Sequence, residues 1–306
     1  MARSTGRLRL AACVLALLLA SCARKSATPV DWTALEASGR VVDRPAGLNV
    51  LMKEGRYVWT DGTVDLQLVP VAGMLTRGTR LTTTVTGAEG NATRFLLDTG
   101  SVGSLLAMDA PLADEMMLSR MPFQAVGTHA QGYLGHLPVV RMGQVQGRDL
   151  TVAVTTGSEL PDMERNILGI VHLFHTQLEH RGSQWTLRSG SARLARTEPG
   201  WADVRLESGT PILRVQDPAD RPVYALIDSG AYESLAVGTS TMGTYRIRGT
   251  DGAEVQRVDV KRRREQSPDP RAFGGYEIGL ILGMDVLTSR DWRMTFDEST
   301  WAIAPR

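Results

Sequence analysis

Short apolar runs separated by turn-forming residues make up most of the chain. From about Val64 to Pro305 these runs alternate with Gly, Asp, Asn and Pro. Apolar runs of this length, bounded by turn residues, are typical of β-strands, and long helical periods are scarce. The 31 glycines among 306 residues favour tight turns in the same way. The pattern therefore predicts an all-β protein.

The pattern occurs twice along the chain. Residues 80–107 fall on residues 210–237 after a shift of 130 positions, without a gap. In each copy a strand, a polar turn and a second strand lead into the sequence Asp-Thr/Ser-Gly. Farther along, an Ile-Leu-Gly sequence and an aromatic strand recur in both copies. Because a repeat of this kind marks a unit of the fold, we expect two lobes, residues 61–190 and 200–306, joined by a linker over residues 191–199.

The two Asp-Thr/Ser-Gly sequences carry the candidate chemistry. They place Asp98 and Asp228 directly after apolar strand ends. One such tripeptide is a weak signal, because an Asp-Gly turn is common, but two in matched contexts are a strong one. The segments FLLDTGS, ALIDSGA, NILGI and LILGMD resemble the aspartic proteases of both retroviral and pepsin type, and the resemblance covers most of residues 60–306.

The resemblance implies a fold and an activity. The fold would be two pseudo-symmetric lobes, each a small closed, barrel-like sheet, with a peptide cleft between them. Asp98 and Asp228 would be the catalytic pair of an endopeptidase that uses neither cofactor nor metal. Two carboxyl groups within hydrogen-bond reach hold one proton between them. The ionised member can take a proton from water while the protonated member donates to the developing oxyanion, on an extended peptide or protein substrate.

The residues after each aspartate are expected to support the pair. By resemblance, the hydroxyl groups of Thr99 and Ser229 bond across to the loop of the other lobe. Gly100 and Gly230 let the backbone approach the carboxyl groups, where a side chain would clash.

The two loops differ at the next position. We expect the Ser101 hydroxyl to be able to bond Asp98, whereas Ala231 cannot do the same for Asp228. That difference indicates unequal proton affinities and leaves open which aspartate holds the proton.

A glycine-rich segment after Asp98 is the candidate flap. Residues 127–135 include Gly132, Tyr133 and Gly135, and the family covers its substrate with such a hairpin, which excludes water. Tyr133 is either a flap tyrosine or a turn residue that packs locally. Residues 249–252 are expected to form the corresponding hairpin tip of the second lobe, and a plain turn is favoured there over a second flap.

The N-terminal residues predict export and a lipid anchor. Three arginines precede an apolar stretch too short to span a bilayer. Residues 19–22, Leu-Ala-Ser-Cys, resemble the lipobox of bacterial lipoproteins, which implies removal of residues 1–21 and lipidation of Cys22. An ordinary secretory signal is the alternative. Residues 22–60 are then a tether and an N-terminal segment, and by resemblance Ala23 indicates the outer membrane, facing the periplasm.

Composition narrows the function classes. A formal net charge of +1 argues against a nucleic-acid binder. The only cysteines are Cys13 and Cys22, so the mature body has no disulfide and no thiol nucleophile. His172, His175 and His180 are not accompanied by an HExxH pattern, and a metal site is not favoured there.

Two rival functions stay open. The first is a protease-like scaffold that binds a peptide or an envelope partner without cutting it. The second is a one-lobe enzyme that works as a dimer, whereas the aspartic protease hypothesis needs only a monomer.

The basic residues 261–264 are expected to form a solvated loop, with contact to anionic lipid or a processing site as the alternatives.

Overall fold

The computed structural model describes residues 30–51, 57–72, 77–124, 131–157, 165–193, 201–207, 210–249, 251–296 and 300–302. The predicted signal sequence and the predicted lipidation site, Cys22, lie outside the described residues, as does Gly127 at the start of the candidate flap. None of the described helices is long and apolar enough to cross a membrane.

Strands dominate the described chain. The N-terminal segment contains the strand β1 (Val41–Val42). Lobe one contains the strands β2 (Gly62–Ala72), β3 (Arg77–Gly87), β4 (Ala92–Asp98), β5 (Leu105–Ala107), β6 (Met117–Gln124), β7 (Gln131–Met142), β8 (Val145–Gly157), β9 (Ile167–Gly169), β10 (Thr176–Arg181) and β11 (Gln184–Ser189). Lobe two contains β12 (Trp201–Glu207), β13 (Thr210–Gln216), β14 (Pro222–Ile227), β15 (Leu235–Val237), β16 (Gly243–Arg248), β17 (Glu254–Val260), β18 (Arg263–Arg264), β19 (Ile278–Leu282), β20 (Trp292–Thr295) and β21 (Thr300–Ala302).

The helices are short. Among the described residues, three of them are α-helical: α1 (Trp32–Ala37), α2 (Leu48–Leu51) and α3 (Met284–Leu287). The same residues include four short 3-10 helices: Pro111–Glu115, Ile170–His172, Gly190–Ala192 and Pro270–Phe273.

The two lobes share the strand pairing around their aspartate loops. In lobe one, β4 runs parallel to β9, while β5 is antiparallel to β9 and parallel to β8. In lobe two, β14, β15, β18 and β19 are paired in the same way. Each lobe also has a satellite apolar cluster that includes repeat-related residues: Leu96, Leu105 and Ile167 in lobe one, and Leu226, Leu235 and Ile281 in lobe two. The predicted all-β, two-lobe architecture is therefore confirmed.

A six-stranded antiparallel sheet joins the lobes. Its strand order is β2, β11, β10, β20, β21 and β12. At its centre, Leu178 of β10 lies opposite Met294 of β20, and both side chains are buried. Strands β2 and β12 each extend beyond this sheet to pair with β3 and β13 of their own lobes. Backbone hydrogen bonds therefore fix one lobe to the other.

The β6–β7 hairpin distinguishes lobe one from lobe two. In lobe two, β16 pairs with β13 as β7 pairs with β3, so the β16–β17 hairpin corresponds to the β7–β8 hairpin. At the tip of β16–β17, the N–H of Gly252 donates to the carbonyl of Gly249 at 2.9 Å. The structure has the plain turn that was favoured over a second flap at this hairpin tip. The expectation that residues 249–252 correspond to the flap tip is wrong, because they match the β7–β8 turn.

The described part of the N-terminal segment packs against lobe one. Helix α1 begins after Asp31, whose side chain accepts from the N–H of Ala34 at 3.0 Å and so caps the helix. Strand β1 pairs in parallel with β6. Tyr57 and Trp59 are buried, and Trp59 Nε1 donates to the carbonyl of His172 at 2.7 Å. From Val30 onward, this segment therefore belongs to the folded body in its described parts.

Candidate active site

Two loops, one from each lobe, meet where the lobes join. Asp98 is the last residue of β4, and it lies opposite Gly169 of the parallel strand β9. Asp228 follows β14 directly, and its N–H donates to the carbonyl of Leu282 at 3.0 Å. The apolar strand residues before each aspartate are buried in the core, so the position of each aspartate is fixed by the packing of its own lobe.

Thr99 and Ser229 connect the loops through four reciprocal hydrogen bonds. The Thr99 hydroxyl donates to the carbonyl of Ile227 at 2.8 Å and accepts from the N–H of Ser229 at 3.0 Å. The Ser229 hydroxyl donates to the carbonyl of Leu97 at 2.8 Å and accepts from the N–H of Thr99 at 3.0 Å. Both side chains are completely buried. Each hydroxyl therefore uses its donor and one acceptor position on the opposite loop, as the resemblance implied.

Gly100 and Gly230 each lie against the aspartate of the other lobe. A Cβ atom on Gly100 would be 2.6 Å from Cγ of Asp228, and one on Gly230 would be 2.5 Å from Cγ of Asp98. Real Cβ atoms do not approach so closely, so only glycine fits at these two positions. The structure therefore brings both aspartates to one site within a single chain.

Backbone N–H groups orient each carboxyl group. Asp98 Oδ1 accepts from the N–H of Gly100 at 2.9 Å and from the N–H of Ser101 at 3.1 Å. Asp228 Oδ1 accepts from the N–H of Ala231 at 3.0 Å. The Ser101 hydroxyl donates to the carbonyl of Gly103 at 3.0 Å, so the expectation that it bonds Asp98 is wrong. Ser101 and Ala231 therefore contribute in the same way, because each donates its backbone N–H to the aspartate of its own loop.

The two carboxyl groups share a hydrogen bond and strongly influence each other's ionisation. Burial raises the pKa of Asp98 well above its ordinary value, and the negative charge of Asp228 raises it further. Burial also raises the pKa of Asp228, while the hydrogen bond from Asp98 and the charge of Arg80 act against that rise. Both aspartates keep part of their surface open to solvent. The pair can therefore hold one proton and remain within reach of a ligand.

Two serines that the sequence analysis gave no role support the loops from below. Ser104 Oγ accepts from the N–H of Gly169 at 3.0 Å, and Ser234 Oγ accepts from the N–H of Gly283 at 3.0 Å. A Cβ on Gly283 would lie 2.6 Å from the carbonyl carbon of Glu233, so the Ile-Leu-Gly glycines pack directly under the aspartate loops. The match of Ser104 with Ser234 in the repeat was the signal that could have identified both serines.

The partners of these two serines differ between the lobes. The Ser104 hydroxyl lies 2.7 Å from Nδ1 of His172, which is fully buried. The Ser234 hydroxyl donates to Oδ1 of Asp285 at 2.7 Å. Burial lowers the pKa of His172 to about 3. Because burial disfavours the charged imidazolium, the hydrogen bond with Ser104 is made by a neutral His172.

The two-lobe arrangement has a counterpart among solved structures. The aspartic proteinase from Irpex lacteus superposes with a TM-score of 0.54 at 11% sequence identity, over 80% of this chain and 97% of that one. The chain has the pepsin-like aspartic proteinase fold. No family model matches the sequence, and no curated protein matches it. The likeness therefore concerns the fold, and the chemistry has to be argued from the residues.

The candidate flap residues lie on strand β7 of this aspartic proteinase fold. Gly132 and Gly135 pair with Phe123 and Leu118 of β6. The Tyr133 ring packs edge-to-face on Trp32 of α1, with ring centroids 4.9 Å apart. This contact gives the local-packing interpretation a specific partner, and the flap role of Tyr133 stays a prediction.

The remaining sequence candidates have structural partners. Nδ1 of His180 lies 2.6 Å from the carbonyl of Arg290, and the described residues contain no group of three His, Cys, Asp or Glu side chains that could hold a metal. The basic run is exposed, but it is not only a loop, because Arg263–Arg264 forms β18 beside β15. Arg262 pairs with Glu233 at 2.6 Å.

Proposed function

We propose that the protein is an aspartic endopeptidase in which Asp98 and Asp228 share one proton and activate a water molecule. The observation that carries the proposal is the placement of the two carboxyl groups, which share a hydrogen bond, each face the loop of the other lobe and stay open to solvent. Paired carboxyl groups with raised pKa values are costly to stability, and such groups cluster at functional sites.

The chemistry follows from the shared proton. The ionised carboxylate takes a proton from the water, whose oxygen attacks the peptide carbonyl carbon. The protonated carboxyl group donates a hydrogen bond to the oxygen on which negative charge develops. The loop contacts of Thr99 and Ser229 hold both groups in place before substrate arrives, so little reorganisation is needed during the reaction.

The proposed substrate is an extended peptide segment of an envelope or secreted protein. An all-β cleft recognises such a segment by backbone hydrogen bonds, as in strand addition, and side-chain pockets then set the preference. Because both aspartates come from one chain, the dyad does not require a second copy, and we propose that the active protein is a monomer.

Digestion of a denatured protein at pH 4 to 6, with and without pepstatin, tests the proposal. We expect cleavage by the full chain, inhibition by pepstatin, and loss of turnover in Asp98→Asn and Asp228→Asn with unchanged circular dichroism. Asp259→Asn is the matched control, because Asp259 is exposed on β17 and an amide can still accept from Thr244. Near-normal activity in either dyad variant would contradict the assignment.

The same experiment addresses the rival function. A wild-type chain that binds peptide but cleaves nothing at any pH would support the catalytically silent, partner-binding lipoprotein.

We also propose that Cys22 carries a lipid that anchors the protein to the cell envelope, at the outer membrane and facing the periplasm. The proposal rests on the lipobox-like residues 19–22. Metabolic labelling with a radioactive fatty acid should mark the wild type and leave Cys22→Ala unlabelled. Equal labelling of both would exclude Cys22 as the lipidation site.

A further inference from the structure

A buried arginine lies against the aspartate loop of lobe two. Arg80 of β3 has only 5% of its surface exposed, although charged residues are rarely buried. Its guanidinium carbon lies 5.1 Å from the centroid of the Tyr232 ring, a cation–π contact. Tyr232 follows Asp228 by four residues, so lobe one places a positive charge against the aspartate loop of lobe two.

The start of β3 is fitted to this contact. A Cβ on Gly78 would lie 2.5 Å from Cβ of Tyr232, so the absence of a side chain there lets the strand approach the tyrosine. Arg80, two residues along and on the same face of the strand, reaches the same ring. The position of the guanidinium is therefore set by backbone approach and ring stacking together.

The contact between Arg80 and Tyr232 has no counterpart at the equivalent positions of the repeat. In the repeat, Arg80 corresponds to Thr210, and Tyr232 corresponds to Val102. The backbone environments of the two aspartates are otherwise closely similar, since each accepts from N–H groups of its own loop. Arg80 is thus a charged group that distinguishes Asp228 from Asp98.

Other charged groups on elements next to β3 are engaged or exposed. Asp285 of α3 accepts from Ser234. Glu115, at the end of the Pro111–Glu115 helix, accepts from the N–H groups of Glu89 and Asn91. On the neighbouring strands the exposed charged residues are Asp65 of β2, Arg94 of β4 and Arg141 of β7. On the Tyr232 loop, Glu233 is paired with Arg262 at 2.6 Å.

We propose that Arg80 is a positioning residue for the dyad: stacked on Tyr232, its guanidinium keeps Asp228 ionised and leaves the shared proton on Asp98. A positive charge within a buried site favours the charged form of the nearer carboxyl group. The lowering effect of Arg80 on the pKa of Asp228, and the rise that burial and the charge of Asp228 cause in the pKa of Asp98, agree with this order. Its catalytic consequence rests on the proposed function: Asp228 would be the base for water, and Asp98 the donor to the oxyanion.

The proton assignment is tested by NMR titration of the aspartate carboxyl carbons in the full chain. Asp98→Asn and Asp228→Asn assign the two signals. We expect the Asp228 signal to titrate at lower pH than the Asp98 signal in the wild type, and the gap to shrink in Arg80→Met. A wild type in which Asp98 ionises first would overturn the proposal. This measurement needs no enzymatic activity, so it decides the inference even if the proposed function fails.

The pH profile of kcat/KM tests the catalytic role. In Arg80→Met the acid limb should move to higher pH by about one unit, because the monoanionic dyad loses a nearby cation. Arg80→Lys should keep the limb near its wild-type position. Arg141→Met removes an equal charge from the exposed far end of β7 and should leave the profile unchanged.

A folded Arg80→Met variant whose profile superimposes on that of the wild type would overturn the catalytic role. If Arg80→Met does not fold, the uncharged Arg80→Gln gives the same comparison, and the wild-type titration still decides the proton assignment. A wild type that cleaves no peptide would count against the proposed function and not against the proton assignment.

Discussion

His172 should make the folded protein sensitive to acid, although the proposed cleavage is to be tested at pH 4 to 6. The imidazole is fully buried and stays neutral to about pH 3, whereas a histidine in the unfolded chain protonates near pH 6.5. Between these values the unfolded state binds one more proton than the folded state. The free energy of unfolding contributed by His172 therefore falls as pH falls, by about 1.4 kcal/mol per pH unit.

The magnitude is large for one residue. Between pH 6.5 and 4.5 the His172 contribution falls by about 2 kcal/mol, against a total stability of about 5–15 kcal/mol for a typical domain. The dyad acts in the opposite direction. The pKa values of Asp98 and Asp228 are raised by folding, so at neutral pH these carboxyl groups destabilise the fold, and this cost is relieved as pH falls. Only a comparison of variant and wild type at each pH isolates His172.

His172→Asn is the informative change, because the amide can still form a hydrogen bond with Ser104 and the side chain does not titrate. At pH 7.5 we expect the variant to be less stable by about 1–2 kcal/mol, since it leaves a small cavity. At pH 4.5 this deficit should vanish or reverse. Urea unfolding, followed by tryptophan fluorescence and circular dichroism at several pH values, measures the difference.

Val171→Ala provides the control. Val171 is equally buried and adjacent in sequence, but it carries no titratable group. Its deficit should be the same at every pH. The argument for His172 is refuted if the deficit of His172→Asn is also constant between pH 7.5 and 4.5.

Four further outcomes are expected. Thr99→Val should destabilise the fold by about 2–4 kcal/mol and reduce turnover strongly, because a buried carbonyl and a buried N–H lose their partners; Thr99→Ser should restore most of both, as measured by urea unfolding and peptide cleavage. Asp228→Asn should raise the melting temperature at pH 7 and raise it less at pH 4, since it removes a carboxyl group whose pKa is raised by folding. Gly230→Ala should abolish cleavage, because the methyl group would displace the Asp98 carboxyl group. Trp32→Ala should cost about 1–2 kcal/mol through its aromatic and cation–π contacts, detected as a lower melting temperature with the dyad intact.

The repeat allowed much of the site to be predicted from the sequence. The matched positions in the repeat predicted that Asp98 and Asp228 lie on equivalent loops. The hydroxyl groups and glycines that follow them predicted hydrogen bonds between the loops and a close approach of the backbone. The roles of Thr99, Gly100 and their counterparts follow from local chemistry once the loops face each other. Local chemistry is what a sequence records most directly, so these positions agree with the structure.

Long-range packing could not be predicted in the same way. Arg80 is a strand residue of ordinary appearance, and only the fold places it against Tyr232. Tyr57 and Trp59 lie in the stretch predicted to be a tether and N-terminal segment, yet tertiary contacts bury them. The Ser101 hydroxyl bonds Gly103 because the loop turns its backbone N–H, and not its side chain, toward Asp98. In each case the deciding partner is set by three-dimensional geometry and not by spacing along the chain.

The antiparallel sheet between the lobes bears on how the two halves depend on each other. If the chain were divided between β11 and β12, each half would expose an open edge, β10 or β20, whose backbone donors and acceptors could bind a foreign strand. Co-produced halves would satisfy these edges by re-forming the β10–β20 ladder. Strand complementation, and not covalent continuity, would then suffice to bring the two acids back together.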